Sequence, residues 1–370
     1  MGDLKLSVDL AGRYKAFKNS KEFSEDIPDS KTAYWQQHAK LISTNIEETT
    51  VTARGDSGVY IPPKPRIGMS SKMTLQHLSR LARALRHPKA IFRNLAQRLF
   101  PYRYRDPLFS SYTQAFDAVM QSKDVAKLGS SPYRIDHSEL AQIDGVFDDS
   151  RSLADHYHRW SGLVLSWNVI LQYYLCNILR GRTRPQEFKT ILEIGAGNGN
   201  MASVCLHEFP GSRVIIVDLP ETLSVSIPFL GSLFPDFRLR LPHEFGDDGW
   251  VDDFDIGFLT VGQIDLIPDD VVDLSINVSS FQEMRHTQIE SYFDLIQRVT
   301  RQHGWFLCAN RVEKIATSSD SHNVEYAELP NRFGEYPWRP TNEVLVYEVN
   351  QMIRLIQKDN HMVRLEEIRK

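Results

Sequence analysis

The chain has 370 residues, more than one hydrophobic core usually supports, so we expect either two lobes or one main domain with a large appendage. Apolar residues make up 42% of the chain and charged residues 24%, and the formal net charge is -4. These values are ordinary for a globular protein and argue against a dedicated nucleic-acid binder, so we expect no nucleic-acid partner.

The cysteines and the first residues bear on the cellular compartment. Cys176, Cys205 and Cys308 each lie in an apolar run without CxxC spacing, which indicates buried thiols rather than disulfides or a zinc site. Residues 1–15 carry scattered charges and contain no apolar core of a secretory signal. We therefore expect a cytoplasmic protein.

Residues 1–150 are predicted to form a mainly helical accessory region. Residues 49–65 contain Gly and Pro and are predicted to be a loop. Helical patterns follow at 71–87, 91–100, 109–125 and 150–180. The last pattern is the most apolar, but Asn and Gln interrupt it, which favours a buried or interface helix over a membrane span.

The segment 64–105 contains eleven Lys or Arg and no acid. A helix over 71–87 would place four leucines on one face with arginines around them, a pattern compatible with a lipid interface. We expect this segment to contact an anionic membrane surface, which would make the protein peripheral to the inner membrane, or a phosphate-bearing acceptor. The alternative is that the leucines pack on the catalytic domain and the bases pair with its acids.

After Pro185, short β-branched runs alternate with helical stretches. The predicted strands are TILEIGA, RVIIVDL, FRLRL, DLSINV and GWFLCANRV. This alternation indicates an α/β fold with a parallel sheet covered by helices. Two further strands, at 343–348 and 361–365, are predicted to close the sheet as a hairpin. We assign residues 151–370 to this domain.

A glycine-rich turn follows the first of these strands. Its sequence is Glu193-Ile-Gly-Ala-Gly-Asn-Gly199, and a helical stretch begins directly behind it. Glycines let the backbone approach a ligand closely, and the N-terminus of a helix favours negative charge such as a carboxylate. A dinucleotide fingerprint would need glycine at position 200, where Asn200 stands.

The acid followed by GxGxG resembles motif I of the class I S-adenosylmethionine-dependent methyltransferases. The resemblance implies a Rossmann-like fold, S-adenosylmethionine as the cofactor, and a turn that contacts its amino-acid moiety. It also implies that Asp218, at the end of RVIIVD, accepts hydrogen bonds from both ribose hydroxyls. The implied cofactor contacts in this stretch are Glu193, Gly195, Ala196, Gly197, Asn198, Asp218 and Leu219.

A third stretch, QIDLIPDD from Gln263, is similar to the acidic loop that precedes the fourth strand in that family. Gln263 replaces the usual acid. Because an amide both donates and accepts, Gln263 can still pair with the adenine edge, and we expect Ile264 beside it. The long interval after Asp218 implies an insertion around 241–254.

Two short strings narrow the resemblance to the sugar O-methyltransferases. The fourth strand ends in SFQEM, and YPW follows the fifth strand, within a similarity that spans about 189–348. The resemblance implies cofactor contacts at Asn277, Val278 and Ser279, and sugar contacts at Tyr336, Trp338 and Arg339. The alternative for Tyr336 and Trp338 is a packed loop anchor.

Methyl transfer from a sulfonium needs an acceptor oxygen held in line and a group that takes its proton. His286 and Glu283 follow the carboxyl end of a central strand, where open α/β sheets bind ligands, and either could act as the general base. His286 has the better intrinsic pKa, whereas Glu283 would need desolvation. The alternative is a solvated first helical turn.

We therefore expect an S-adenosylmethionine-dependent O-methyltransferase that acts on a saccharide hydroxyl, without a metal ion. The sugar could be nucleotide-, lipid- or polysaccharide-linked, or part of a glycosylated natural product. The alternatives are an NAD-dependent Rossmann oxidoreductase and a non-catalytic scaffold of methyltransferase type. The oligomeric state is left open, with a homo-oligomer among the expected forms.

Overall fold

The computed structural model describes residues 3–24, 42–54, 167–246, 252–314, 331–350 and 361–370. The helices in these ranges are α1 (Val8–Lys18), α2 (Lys21–Ser24), α3 (Trp167–Arg182), α4 (Asn200–Glu208), α5 (Pro220–Leu233) and α6 (His286–Val299). The strands are β1 (Asp3–Lys5), β2 (Ser43–Glu47), β3 (Thr50–Arg54), β4 (Thr190–Ile194), β5 (Arg213–Asp218), β6 (Leu239–Arg240), β7 (Ile256–Thr260), β8 (Val272–Val278), β9 (Thr300–Arg311), β10 (Glu313–Lys314), β11 (Asn331–Arg332), β12 (Glu343–Val349) and β13 (His361–Glu367).

An eight-stranded sheet in the order β12-β13-β9-β8-β4-β5-β7-β6 organises the domain. Its pairs from β9 to β6 are parallel, whereas β13 runs antiparallel to both β9 and β12. The predicted α/β fold and its closing hairpin are thereby confirmed, and the architecture is Rossmann-like. The strand order reverses between β4 and β8, which opens a crevice beyond the carboxyl ends of these two strands.

Helices cover both faces of the sheet because its central strands are apolar on both sides. Side chains of α3, α4 and α5 pack on one face, and those of α6 pack on the other. The prediction of a buried helix is confirmed for α3, whose Tyr173, Leu175, Cys176 and Leu179 are fully buried. Among the described residues, no helix combines the length and the apolar character needed to cross a membrane.

A small antiparallel sheet in the order β1-β3-β2 lies beside α1 and α5. Leu10, Tyr14 and Phe17 of α1 belong to the same apolar core as α5. Arg13 of α1 forms an ion pair of 2.6 Å with Glu244. The described residues before 55 therefore share the core of the large sheet.

The N-terminal predictions have a mixed outcome. The prediction of a loop over 49–65 was wrong for its first residues. Thr50–Arg54 begins with three β-branched residues and forms a strand that pairs with both neighbouring strands. The helix at 71–87, its leucines and the basic segment 64–105 lie outside the described residues. The mainly helical character of 1–150 and the boundary at 150 stay predictions.

One strand of the large sheet was missed in the sequence. FRLRL was expected to supply the third parallel strand, but it contributes only the two-residue edge strand β6. The five-residue β7 lies between β6 and β5 and is buried throughout. A short apolar run buried on both faces has no alternation, so periodicity does not distinguish it from a buried stretch of loop or helix.

Tyr14 tests whether the N-terminal segment stabilises the sheet domain. Its hydroxyl is buried and donates to the Ser224 carbonyl at 2.7 Å, with Thr44 Oγ1 at 2.9 Å. We expect Tyr14→Phe to lower the free energy of unfolding by about 1 kcal/mol, since the Ser224 carbonyl would lose its donor. Tyr347→Phe is the control, because Tyr347 is exposed on the edge strand β12. Equal urea midpoints for the two variants would contradict the expectation.

Candidate cofactor and acceptor site

The glycine turn between β4 and α4 is confirmed, and it lies against the loop that follows β8. A Cβ on Gly195 would come within 1.9 Å of Ser280 Oγ, so only glycine fits this approach. Gly197 adopts a φ of +61°, and a Cβ there would meet nothing within 4 Å. The turn therefore presents an open surface at Gly197, beyond the carboxyl end of β4.

Asp218, at the carboxyl end of β5, binds the backbone of this turn. Its Oδ2 accepts from the Gly197 N–H at 2.8 Å, and its Oδ1 accepts from the Leu219 N–H at 2.7 Å. Although both bonds favour the ionised form, burial raises the pKa of Asp218 to about 7. The carboxylate is thus next to the open turn and readily stabilised by a hydrogen-bond donor.

Glu193 places a second carboxylate close to the first. The side chain is 3% exposed, and its Oε2 has no hydrogen-bond partner within the described ranges. Burial, followed by the nearby charge of Asp218, raises the pKa of Glu193 to about 8. Two buried carboxylates with so little compensation favour a ligand that brings positive charge or N–H donors.

The other predicted cofactor residues around the turn lie at this edge of the sheet. Ala196 and Asn198 are buried within the turn, and Leu219 is buried where α5 begins. Val278 and Ile264 are partly buried against the two apolar cores. Their contacts with a cofactor stay predictions.

The Gln263 side chain has partners within the protein. Its Oε1 accepts from the Thr260 backbone N–H at 3.0 Å and from the Thr260 hydroxyl at 3.2 Å. Its Nε2 donates to the Pro242 carbonyl at 2.9 Å. These bonds stabilise the loop after β7, and an adenine contact at Gln263 would have to use its remaining N–H or the backbone.

Asn277 joins the carboxyl ends of three strands. Its Nδ2 donates to the Ile194 carbonyl at 2.9 Å, and its Oδ1 accepts from the Phe281 N–H at 3.2 Å and from Asn310 Nδ2 at 2.8 Å. The side chain is fully buried, so its observed role is to hold the loop after β8. Ser279 follows with a φ of +56°, an uncommon conformation for a residue with a side chain.

The two candidate bases differ in their surroundings. Glu283 Oε1 lies 2.8 Å from Lys314 Nζ, and Glu283 Oε2 is buried without a hydrogen-bond partner in the part of the chain that the structure describes. His286 is half-buried at the first position of α6. Of the two candidates, Glu283 therefore has an oxygen that is left to accept a hydrogen bond.

Tyr336 is buried as a loop anchor, the alternative that the sequence left open. It is 3% exposed and contacts Phe281, Phe293 and Phe333 in an aromatic cluster. Trp338 joins the same cluster and donates from Nε1 to the Phe333 carbonyl at 2.9 Å. A sugar contact by Tyr336 stays a prediction and would require its ring to become accessible.

The Arg339 guanidinium forms an ion pair with Asp294 of α6, an exposed side chain. A role of Arg339 in binding a sugar also stays a prediction. No group of three or more His, Cys, Asp or Glu side chains in the described ranges is arranged to hold a metal ion.

Several residues of this site were missed in the sequence. Ser280 contacts Gly195, and Gln282 Oε1 accepts from the Arg311 N–H at 2.9 Å. Asn310 and His361 are buried polar side chains on β9 and β13. Ser280 and Gln282 belong to the SFQEM string. Asn310 and His361 lie far along the chain, so only the register of the sheet brings them to the same edge.

No family model matches the chain, and no curated protein matches its sequence. Among solved structures, a protein from Galdieria sulphuraria described as a sarcosine dimethylglycine methyltransferase is 13% identical, with a TM-score of 0.38 over 54% of this chain and 85% of that one. Phosphoethanolamine N-methyltransferase 2 from Haemonchus contortus, in complex with phosphomonomethylethanolamine and S-adenosylhomocysteine, is 14% identical, with a TM-score of 0.36 over 53% of this chain and 52% of that one.

Geranyl diphosphate methyltransferase, in complex with geranyl diphosphate and sinefungin, is 13% identical, with a TM-score of 0.35 over 54% of this chain and 80% of that one. These three similar structures are methyltransferases by their descriptions. At these identities and TM-scores, the likeness carries no argument for an activity of this chain.

The carboxylate pair predicts an unusual dependence of stability on pH. In the folded protein the pKa values of Glu193 and Asp218 are raised to about 8 and about 7. Between their ordinary values of about 4 and these raised values, the folded state binds more protons than the unfolded state. Stability from this pair is therefore present at low pH and decreases as the pH rises toward 8.

We expect Glu193→Gln to reduce the loss of unfolding free energy between pH 6.5 and pH 8.5 (about two pH units). Glu208→Gln is the control, since Glu208 is an equally buried carboxylate that is paired with Arg180 at 2.6 Å. That variant should instead be less stable than the wild type at pH 8. Urea unfolding across the range measures both effects, and an unchanged pH dependence for Glu193→Gln would contradict the raised pKa.

Proposed function

We propose that the chain is an S-adenosylmethionine-dependent O-methyltransferase that acts on a saccharide hydroxyl. The observation that carries the cofactor assignment is the pair of buried carboxylates next to the open turn at Gly197: Glu193 on the strand before the turn, and Asp218, which accepts from the Gly197 N–H. A cofactor with an ammonium group, a sulfonium and two ribose hydroxyls supplies the positive charge and the donors that these carboxylates lack.

The fit can be followed residue by residue. Glu193 Oε2 is a buried oxygen without a partner, suited to an ammonium group or to a water that bridges to it. Asp218 already accepts from the Gly197 and Leu219 N–H groups, and its remaining lone pairs can accept from ribose hydroxyls. When bound, S-adenosylmethionine supplies an activated methyl group.

On the acceptor side, the protein must orient a hydroxyl and accept its proton. Bound S-adenosylmethionine would supply the methyl group to the acceptor oxygen, and its sulfur would keep the electron pair of the broken carbon–sulfur bond. The hydroxyl proton passes to Glu283 Oε2 or to His286. Lys314 keeps Glu283 oriented through the 2.8 Å ion pair at Oε1, which leaves Oε2 for the acceptor.

The saccharide class rests on the SFQEM and YPW strings. The structure explains part of the first string, because Phe281 packs in the core and Gln282 bonds to the Arg311 backbone. Glu283 is the acid of this string, and its Oε2 has no hydrogen-bond partner among the described residues. This free oxygen supports Glu283 as the general base of the proposed reaction.

Calorimetry with S-adenosylhomocysteine and NAD tests the cofactor. We expect S-adenosylhomocysteine to bind, NAD not to bind, and Asp218→Asn to weaken S-adenosylhomocysteine at least about tenfold, since hydrogen bonds to a charged group are lost. Asp273→Asn is the matched control. Asp273 is also buried and accepts two backbone N–H bonds, at 2.8 Å, but it lies at the start of β8.

Each alternative function has its own outcome in this measurement. Binding of NAD would support the oxidoreductase, whereas binding of neither ligand would leave the non-catalytic scaffold. An equal loss of affinity in Asp218→Asn and Asp273→Asn would mean that Asp218 acts through stability rather than through contact.

Transfer of a labelled methyl group to nucleotide sugars, methyl glycosides and lipid-linked sugars tests the acceptor chemistry. We expect Glu283→Gln to lower turnover at least about tenfold with unchanged affinity for S-adenosylhomocysteine, because base and donor sites are separate. Glu313→Gln is the control, since it removes a nearby carboxylate that pairs with Arg332. Loss of activity in His286→Ala but not in Glu283→Gln would identify His286 as the base.

A further inference from the structure

His361 is a buried histidine that the proposed chemistry does not use. It is the first residue of β13 and is 3% exposed. Among the residues that the structure describes, neither Nδ1 nor Nε2 has a hydrogen-bond partner. Its backbone carbonyl accepts from the Asn350 N–H at 2.7 Å, so the backbone of this residue is fixed while its ring has no polar contact.

An imidazole with two buried, unpaired nitrogens is unfavourable for folding. Buried polar side chains nearly always have partners, and the exceptions call for a ligand, an ordered water or a catalytic role. Phenylalanine or leucine would fill the same space without this cost. A ligand that pairs with the ring is therefore a reason for histidine at this position.

The sheet register places His361 at the edge where the proposed methyl transfer occurs. His361 is directly opposite Arg311, the last residue of β9, and directly opposed residues of an antiparallel pair share one face. Strand β9 lies between β13 and β8, so His361 is about 10 Å from β8 at ordinary strand spacing. The Gly195–Gly199 turn is one strand farther along, after β4.

The charges around the ring indicate which ligand it would accept. Burial, followed by the positive charge of Arg311, lowers the pKa of His361 to about 3, so the ring is neutral at physiological pH. A neutral imidazole offers one N–H donor and one acceptor nitrogen, the pair that a hydroxyl group matches. Arg311 adds positive charge on the same face, which favours a ligand that is also an anion.

We propose that His361 binds the methyl acceptor, and that this acceptor is a hydroxylated anion whose hydroxyl pairs with the imidazole while its negative charge lies toward Arg311. The proposal rests on the proposed methyltransferase function and narrows its substrate class to acidic or phosphorylated saccharides. His361 is a binding residue here, and the proton of the reacting hydroxyl still passes to Glu283 or His286.

Calorimetry on the full chain saturated with S-adenosylhomocysteine tests this. The probes are UDP-glucuronate, UDP-glucose and methyl glucoside, which separate a carboxylate, a diphosphate and a neutral sugar as the source of affinity. We expect at least one of the two anions to bind at least about tenfold more tightly than the neutral sugar, and His361→Phe and His361→Asn to weaken it at least about tenfold. Affinity for S-adenosylhomocysteine should not change.

His207→Phe is the control, because His207 is a histidine of α4 with a side chain only 10% exposed, and its Nδ1 lies 2.8 Å from Glu208. It should lower the thermal midpoint and leave anion binding intact. His361→Phe should not lower the midpoint, since its ring has no bond to lose. His361→Asn keeps a polar side chain, so it separates loss of the imidazole from a change of polarity.

The outcomes separate this inference from the proposed function. Failure of S-adenosylhomocysteine to bind would contradict the methyltransferase itself. If that ligand binds but neither anion binds the wild type, or if both His361 variants bind the anion as the wild type does, the inference is wrong and the proposed function stands. A preference for methyl glucoside over both anions would overturn the assigned charge.

Discussion

The position of the glycine turn depends on one buried amide, that of Asn277. A single side chain fixes the end of β4 through Ile194, the loop after β8 through Phe281, and β9 through Asn310. Because these contacts press the β8 loop against the turn, Gly195 is required at the contact with Ser280. The reversal of strand order creates the crevice, and the buried hydrogen bonds of Asn277 fix its shape.

The carboxylates beside this crevice have the opposite character. Asn277 has its bonds within the protein, whereas Glu193 retains a buried oxygen without a partner. Glu193 and Asp218 lower the stability of the folded state when they ionise, since burial disfavours ionisation of both and the charge of Asp218 adds to this effect at Glu193. A fold tolerates such groups where a ligand later supplies the missing charge, so lower stability without ligand and affinity for a cation share one cause.

Sequence predicted the features that depend on neighbouring residues. The glycine turn, Asp218 at a strand end and the closing hairpin follow from local patterns and were found where expected. The strand β7 was missed because a fully buried run has no alternation. His361 was missed for a different reason, since its meaning comes from its pairing with Arg311, fifty residues earlier in the chain. An aromatic side chain such as Tyr336 is suited to stacking against a sugar ring. The aromatic neighbours that bury it are also distant in sequence, so its burial was not predicted.

Two of the described side chains with unpaired polar atoms, Glu193 and His361, lie on opposite sides of β8, an arrangement that suits a reaction of two substrates. Glu193 is on β4, on one side of β8, and His361 is on β13, beyond β9 on the other. Between them, the side chains of Asn277 and Asn310 bond to each other. Both amide oxygens already accept hydrogen bonds within the protein, so a ligand would have to compete for them. Three strand intervals separate β4 from β13, about 14 Å, which is room for a methyl donor and a sugar side by side rather than for one small ligand. Glu283 follows β8 itself, so a base at that position would act where the two ligands meet.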